Sequence, residues 1–292
     1  MKERKTLLLL TVASLVLLTV ISIRYGILLY TGAALLGVMI SMHIFFLIGI
    51  LIRNNAIVDT AWGLSFVIVA HVTFWMQNEH SPAQWLVLAM VTLWGLRLFS
   101  HILVRTLGAE EDPRYQEMRK SMEKQKSVML ASYLRVYVLQ GFLAVMIAAP
   151  IIMINTMKPN CLAAWYPLGA AVWLLGFAFE VISDAQLRAF LSRKENEGRL
   201  MTGGLWRYSR HPNYFGESTL WWGIFLIALT FEGGWTSFFG PVLLTYLLLR
   251  ISGIPPAERL MKKLPGFAEY KARTSAFIPW FPKNGGRGEQ NG

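Results

Sequence analysis

Eight long apolar segments constrain the fold of this chain more than any other feature of its sequence. They run approximately over 7–23, 26–52, 57–76, 83–104, 128–154, 162–186, 214–232 and 235–252. Each is close to the length of about 17 to 25 apolar residues with which a helix crosses a bilayer. A hydrophobic content of 54% and a charged content of only 15% exclude an ordinary soluble domain. The sequence therefore predicts an all-α polytopic membrane helix bundle with about seven to eight transmembrane helices.

The first two apolar segments are separated only by the short stretch from Arg24 to Gly26. Together they are too long for one crossing, so we expect a tight hairpin. The opening "MKERK" followed by apolar residues is also typical of a secretory signal. No small-residue cleavage site lies near residue 23, which favours a retained span.

The net charge of +11 is concentrated beside the ends of the predicted spans. Of the 28 lysines and arginines, 20 lie in 105–127, 187–213 and 250–292, whereas the loops 77–82 and 232–235 have none. The positive-inside rule places the basic segments and both termini in the cytoplasm, which requires an even number of spans. This placement indicates topology and contact with membrane lipids rather than a nucleic-acid partner.

The loops between predicted spans are too short for a separate soluble domain. We therefore expect one membrane-embedded domain over 1–282, followed by a disordered Gly-rich tail over 283–292. The single cysteine, Cys161, excludes an intrachain disulfide framework and a cysteine-based metal site. The lone histidines His43 and His71 show no metal-ligand spacing, so no metal is predicted.

Polar residues collect at one depth, near the cytoplasmic ends of several predicted helices. They form three pairs with a spacing of four, which puts each pair on one helix face. The pairs are Arg97 with His101, Glu180 with Asp184, and Asn213 with Glu217, and Asp59 and Arg135 lie at the same level. Each residue alone is equally compatible with a structural ion pair or a side chain that reaches the interface. Three pairs at one depth favour a polar cavity that opens to the cytoplasm.

This cavity would have carboxylates in its wall and cations at its rim. The wall would contain Asp59, Glu180, Asp184 and Glu217, and the nearest cations are Arg188, Arg193, Lys194, Arg207 and Arg210. Arginines suit the phosphates of a ligand, while carboxylates and an asparagine suit amide and ribose groups. The pattern therefore favours a phosphorylated ligand with a hydrogen-bonding head group.

The stretch "GGLWRYSRHPNYFGE" (203–217), preceded by "EVISDAQLRAF" and followed by "TSAFIPWFP", resembles the carboxy-terminal domain of the steroid 5-alpha-reductase family. It is most similar to the bacterial membrane branch of that family. "IVDTAWGLSF", "LWGLRLFSHILVR" and "GAEEDPRYQEMR" extend the resemblance to roughly residues 55–282. Sterol reductases and isoprenylcysteine or phospholipid methyltransferases carry similar Arg-His-Pro motifs.

The resemblance implies an NADPH-dependent reduction of a carbon-carbon double bond conjugated to a carbonyl. It also implies an integral protein of the bacterial inner membrane, whose hydrophobic substrate enters from the bilayer. On the family pattern, Asp184, Asn213 and Glu217 fall on cofactor-binding positions, and Glu180 stands where the animal steroid enzymes have asparagine. The candidate cofactor-binding residues are Glu180, Asp184, Arg188, Arg207, Tyr208, Arg210, His211, Asn213, Glu217 and Arg250.

The substrate end departs from the family pattern. Leu98 stands where the family's tyrosine is expected, and no Gln-Glu pair lies near Asp59, so the resemblance does not imply a steroid substrate. The candidate catalytic residues are Asp59, Arg97 and His101. His101 is the natural proton donor to a carbonyl oxygen that gains negative charge, Arg97 is the alternative, and Asp59 would orient one of them. In the competing interpretation, Asp59 and Arg97 form a buried structural pair.

Two other functions remain open from the sequence. The first is a methyltransferase that uses S-adenosylmethionine, although its ligand has no phosphates for the basic loop 187–213. The second is a non-catalytic lipid transporter or binder, in which polar residues should extend across the bilayer. The loop "GAEEDPRYQEMRK" is a further candidate element, with Arg114 and Tyr115 as a lid over the cofactor.

Overall fold

The computed structural model of the chain describes residues 2–52, 54–106 and 128–283. Its α-helices are α1 (Lys2–Arg24), α2 (Leu28–Leu51), α3 (Ile57–Trp75), α4 (Pro82–Thr106), α5 (Val128–Ser132), α6 (Leu139–Ile147), α7 (Ala149–Thr156), α8 (Tyr166–Leu191), α9 (Pro212–Ala228), α10 (Phe239–Arg250), α11 (Ile254–Met261) and α12 (Phe267–Arg273). A π-helix, Tyr133–Val138, joins α5 to α6, and 3₁₀ turns occupy Ala163–Trp165, Lys194–Asn196, Gly204–Arg207 and Gly234–Phe238. Within the described ranges there is no β-strand, and the predicted all-α fold is confirmed.

Five helical segments in the described ranges are long and apolar enough to cross a membrane, by length and composition. They are Leu28–Leu51, Ile57–Trp75, Pro82–Thr106, Ala163–Leu191 and Gly234–Met261. A sixth arises if Tyr133–Ile147 and Ala149–Thr156, bent by 48°, form one span. The apolar part of α1 over Leu9–Arg24 is shorter, and α9 has 17 residues. The chain is thus an integral membrane protein, while the count of seven to eight spans stays a prediction.

The chain divides into two compact units, which are described separately. The first unit comprises 1–167 and 224–240, and the second comprises 168–223 and 241–292. One domain over 1–282 stays a prediction. The predicted disordered tail lies outside the described residues, apart from Lys283.

In the first unit, α3 is the most buried of the long apolar helices, with Phe66, Val69 and Phe74 fully inaccessible. The backbones of α3 and α4 are in contact at Gly63, where a Cβ atom would lie 2.6 Å from the carbonyl oxygen of Gly95. Small residues allow such backbone contact between helices in membranes. This contact fixes the register of the α3–α4 hairpin.

Polar side chains join α7 to the α3–α4 hairpin inside the first unit. Asn155 Nδ2 donates to Thr73 Oγ1 at 2.8 Å, and Gln84 Nε2 donates to the carbonyl oxygen of Ile154 at 2.9 Å. All three of these polar side chains are buried. Hydrogen bonds between helices in an apolar setting satisfy groups that lipid cannot.

The predicted segment 128–154 is not one regular helix. It contains the π-helix and then a break at Ala148, one residue before α7, whose second residue is Pro150. Proline lacks an N–H and breaks the helical ladder, which accounts for the bend there. In the π-helix the fully buried Tyr137 lies against Gly49 and its hydroxyl donates to Asn55 Oδ1 at 3.3 Å.

The second unit contains α8, the first part of α9, most of α10, and the short helices α11 and α12. A non-helical segment, residues 274–283, follows α12. The loop over 203–211 lies between α8 and α9 in sequence and contains much of the motif that carries the resemblance. This unit therefore holds all the candidate cofactor-binding residues.

Candidate functional site

Helices α8 and α9 approach each other closely enough for backbone contact. A Cβ atom on Gly216 would lie 2.5 Å from the backbone nitrogen of Glu180 and 2.6 Å from the carbonyl oxygen of Gly176. One heptad further along, a Cβ atom on Gly223 would lie 2.6 Å from the backbone nitrogen of Trp173. Small residues seven apart keep one face of α9 against α8. The glycines thereby set the relative register of the polar residues on these two helices.

Two of the predicted polar pairs meet on these helices. Asn213 Nδ2 donates to Asp184 Oδ1 at 3.3 Å, and both residues are half-buried. Glu180 lies one turn before Asp184 and is only 3% exposed. Glu217 lies one turn after Asn213 and is half-buried. Three carboxylates and one amide thus lie within one helical turn of the hydrogen bond between Asp184 and Asn213, and together they can accept and donate hydrogen bonds.

Hydrogen bonds join the 203–211 loop to α8 and α12. They involve backbone atoms of the loop and the indole N–H of Trp206. Trp206 Nε1 donates to the carbonyl oxygen of Ser183 at 3.1 Å, and Gln186 Oε1 accepts from Leu205 N at 2.9 Å. The hydroxyl of Tyr270 donates to the carbonyl oxygen of Trp206. Burial raises the pKa of Tyr270, so the phenol keeps its proton and remains a donor. These bonds order the chain that leads into α9.

Arg210 is the central side chain of a buried hydrogen-bond network. Its Nε donates to Glu258 Oε1 at 2.9 Å, and its Nη1 donates to the carbonyl oxygens of Lys271 and Thr274. Its Nη2 also reaches Glu258 Oε1, and Lys271 Nζ donates to Glu258 Oε2 at 3.0 Å. The guanidinium group is thus directed at α11 and α12. Contact of Arg210 with a cofactor phosphate stays a prediction.

His211 is 2% exposed and precedes the first residue of α9. Its Nε2 lies 3.8 Å from Glu258 Oε1, which is beyond hydrogen-bond distance, and has no hydrogen-bond partner in the described part of the chain. Its ring stacks on that of Tyr214, with centroids 5.5 Å apart. Burial lowers the pKa of His211 to about 4, although the nearby carboxylate of Glu258 opposes this shift. The imidazole is therefore neutral at physiological pH.

The buried neutral histidine leads to a prediction about stability in acid. The unfolded chain protonates His211 near pH 6.5, whereas the folded chain resists protonation down to about pH 4. We expect this group to reduce the free energy of unfolding as the pH falls through that window, by roughly 3 kcal/mol in total. Chemical denaturation of the purified protein and of His211→Gln, from pH 7.5 to pH 4, measures the contribution.

The difference between the two proteins isolates His211 from other titrating groups. Between pH 7.5 and pH 4, the free energy of unfolding should fall less in His211→Gln than in the wild type. Any difference that the two proteins already show at pH 7.5 is subtracted first. Parallel curves for the two proteins would contradict a buried neutral imidazole.

The remaining predicted cofactor residues lie at the surface of the second unit. Arg188, Arg207 and Arg250 are exposed, and Tyr208 is half-buried with its ring edge against Phe281, 6.0 Å between centroids. Exposed cations remain compatible with the predicted basic rim. Their contact with phosphate is untested.

The candidate catalytic residues belong to the first unit. Asp59 lies in the first turn of α3, four residues before Gly63, and Arg97 and His101 lie two and six residues after Gly95 on α4. Because Gly63 faces Gly95 in an antiparallel pair, all three residues lie near the same end of the hairpin. The three residues are half-buried. Their chemical roles stay predictions.

Three residues that hold the 203–211 loop in place are not indicated by the sequence pattern. Glu258, Gln186 and Tyr270 had no assigned role, yet each bonds directly to the loop. The one available signal for Glu258 was a carboxylate in the otherwise basic stretch "PPAERLMKK". Among the described residues no group of three or more His, Cys, Asp or Glu could hold a metal ion. The predicted lid residues Arg114 and Tyr115 lie outside the described residues.

Comparison with known proteins gives one extensive match and several short ones. A family model described as "Protein of unknown function (DUF1295)" matches residues 45–274. The 3-oxo-5-alpha-steroid 4-dehydrogenase 1 of Bos taurus is 35% identical over 65 residues, 22% of this chain and 25% of that protein. The protein of the same name from Mus musculus is 35% identical over 65 residues, 22% and 26% of the respective chains. The chain thus spans about a quarter of the length of these curated relatives. No solved structure matches.

Proposed function

The chain belongs to the DUF1295 family, and from this membership and its geometry we propose that it is an NADPH-dependent membrane reductase. The proposed reaction reduces a carbon-carbon double bond conjugated to a carbonyl in a lipid-like substrate. The short similarity to 3-oxo-5-alpha-steroid 4-dehydrogenase 1 supports this class of reaction. The basic segments support cytoplasmic termini, and the resemblance supports the bacterial inner membrane.

The hydrogen bond between Asn213 and Asp184 is the observation that carries the proposal. These two residues are 29 positions apart, and the resemblance assigns both to cofactor binding. Backbone contact at the glycines of α8 and α9 holds the two side chains 3.3 Å apart, so packing of the chain itself orients them. A preformed site loses less conformational entropy on binding, which favours affinity.

The side chains of the second unit suit the chemistry of a nicotinamide dinucleotide. Carboxylates at Asp184 and Glu217 accept hydrogen bonds from amide and ribose groups, and the Asn213 amide both donates and accepts. The exposed Arg188 and Arg207 suit the phosphates. NADPH supplies the hydride when it is bound. The task of this unit would be to hold and orient the cofactor.

In the first unit, the proposed tasks are stabilisation and protonation of a carbonyl oxygen. His101 would donate the proton, Arg97 would stabilise negative charge on that oxygen, and Asp59 would orient one of the two. The position of these residues near one end of the α3–α4 hairpin supports a shared role. The apolar surface of the surrounding helices suits a substrate that arrives from the bilayer.

Thermal stabilisation by ligands tests the proposal. We expect NADPH to raise the melting temperature of the detergent-purified protein, because a ligand of the native state stabilises it by about 2.7 kcal/mol at a hundredfold excess over Kd. Asn213→Ala should lose most of this stabilisation while melting near the wild-type temperature without ligand. Asn78→Ala, at an exposed position in the α3–α4 connection, is the matched control and should respond like the wild type.

The same assay separates the competing functions. Stabilisation by S-adenosylmethionine and not by NADPH would replace the reductase with a methyltransferase. No response to NADPH, NADH or S-adenosylmethionine would favour a lipid transporter or binder. An NADPH response that Asn213→Ala keeps would move the cofactor site away from α8 and α9.

A further inference from the structure

The non-helical segment after α12, residues 274–283, which we term the C-terminal strap, is fixed to the 203–211 loop. It turns back on itself, because Lys283 N donates to the carbonyl oxygen of Arg273 at 2.9 Å. Three hydrogen bonds, each between 2.8 and 2.9 Å, join the two segments. They run from Arg210 N to the carbonyl oxygen of Ser275, from Trp280 N to that of Tyr208, and from Ser209 Oγ to that of Phe277. The fold therefore sets the outward direction of the strap side chains.

Three large apolar side chains of the strap remain at the surface. Ile278 is 62% exposed, Trp280 is 70% exposed and Phe281 is 76% exposed. By contrast, Phe277 packs its ring edge against Phe215 within the second unit, with centroids 5.8 Å apart. Adjacent exposed hydrophobic side chains on a fixed segment mark an interaction surface.

The exposed charged side chains between residues 254 and 283 are mainly cationic. The exposed cations of this region are Arg259, Lys262, Lys263, Lys271, Arg273 and Lys283. The two acidic residues between 254 and 283 are engaged in ion pairs, Glu258 with Arg210 and Lys271, and Glu269 with Arg273. The surface therefore complements an anionic partner.

The strap and these cations follow the last candidate membrane span closely in sequence. The last candidate span runs over Gly234–Met261 and includes α11, and only five residues separate α11 from α12. Aromatic side chains interleaved with lysine and arginine, next to the end of a span, are typical of a segment in the headgroup region.

We propose that the C-terminal strap and the cations beside it bind the surface of an anionic lipid bilayer. Ile278, Trp280 and Phe281 enter the headgroup region, and the lysines and arginines pair with lipid phosphates. Because the strap is bonded to the 203–211 loop, lipid contact also steadies the segment that precedes α9. This inference does not depend on the proposed reductase activity.

A site-specific fluorophore tests the proposal in the full chain. Cys161 is the single cysteine, so a Cys161→Ser background accepts an environment-sensitive label at Phe281→Cys. Glu269→Cys on α12 is the matched control, because its side chain is 75% exposed and polar. Each protein is placed in nanodiscs of phosphatidylcholine, with or without phosphatidylglycerol.

With phosphatidylglycerol present, we expect the label at 281 to emit at shorter wavelength and to be quenched by spin-labelled lipid. Its quenching by aqueous iodide should be at least about twofold weaker than that of the label at 269. Adding Lys262→Glu and Lys263→Glu should remove the effect of phosphatidylglycerol.

Three results would overturn the proposal. A label at 281 that behaves like the one at 269 would exclude lipid contact. An equal response with and without phosphatidylglycerol would exclude recognition of anionic lipid. Disulfide cross-linking between copies of Phe281→Cys would assign the surface to a second copy of the chain instead.

Discussion

Gly216→Ala is expected to destabilise the protein strongly, although alanine normally stabilises a helix relative to glycine. The new Cβ atom would lie 2.5 Å from the Glu180 nitrogen and 2.6 Å from the Gly176 oxygen, and these are backbone atoms that no side-chain rotation can move. Helices α8 and α9 must separate to admit it. Overpacking costs about 1–3 kcal/mol, and we expect about 3 kcal/mol here because the atoms in contact belong to the backbone. After the gain of about 1 kcal/mol in helix propensity, a net loss of about 2 kcal/mol remains.

Gly32→Ala is the matched control for this substitution. Gly32 is also a helical glycine, in α2, but a Cβ atom there meets nothing within 4 Å. We expect Gly32→Ala to melt at or above the wild-type temperature, and Gly216→Ala to melt lower by about 4–8 °C. Thermal melts of both variants in the same detergent measure the difference. Equal melting temperatures would show that α8 and α9 do not pack through Gly216.

The separation of α8 and α9 should also affect ligand binding. Gly216 lies between Asn213 and Glu217 on α9 and faces Glu180 on α8. A shift of either helix therefore changes the distance between Asn213 and Asp184. We expect Gly216→Ala to lose stabilisation by NADPH at temperatures where it is still folded.

Much of the helical framework was predictable because apolar periodicity and length are local properties of the sequence. The expected segment 83–104 is α4, Pro82–Thr106, and the expected segment 57–76 is α3, Ile57–Trp75. Asp184 and Asn213 were expected at a common depth because the distribution of basic residues predicts that both lie near the cytoplasmic side. In the structure the two side chains are hydrogen-bonded, while their depth in the membrane stays a prediction.

The parts that could not be predicted depend on contacts between distant residues. Nothing near Arg210 indicates that Glu258, 48 positions later, accepts hydrogen bonds from it, so the sequence suggested only a phosphate contact, which stays a prediction. The π-helix that holds Tyr137 against Gly49 likewise has no hydrophobic periodicity that would distinguish it from an α-helix. Tertiary packing determines these contacts, and a single sequence does not show which distant residues pack together.

Arg210→Ala is expected to destabilise the protein in the absence of any ligand. Arg210 is 6% exposed, and its removal takes one of two cationic donors from Glu258 and removes the Arg210 hydrogen bonds to the carbonyl oxygens of Lys271 and Thr274. Breaking a buried charge pair by deleting one partner costs about 3–5 kcal/mol. We expect a value near the lower limit, about 3 kcal/mol, because Glu258 keeps Lys271 as a partner. Chemical denaturation in detergent measures this loss.

The neighbouring Arg207→Ala distinguishes a positioning residue from a ligand contact. Arg207 is exposed in the same loop, so its removal should leave the free energy of unfolding almost unchanged and weaken only stabilisation by NADPH. Arg210→Ala should show the opposite pattern, a lower stability before ligand is added. Glu258→Gln combined with Arg210→Ala should cost less than the sum of the single changes, because each single change already breaks the same ion pair. Strict additivity, or a wild-type stability for Arg210→Ala, would contradict the role of Arg210 in fastening the 203–211 loop to α11 and α12.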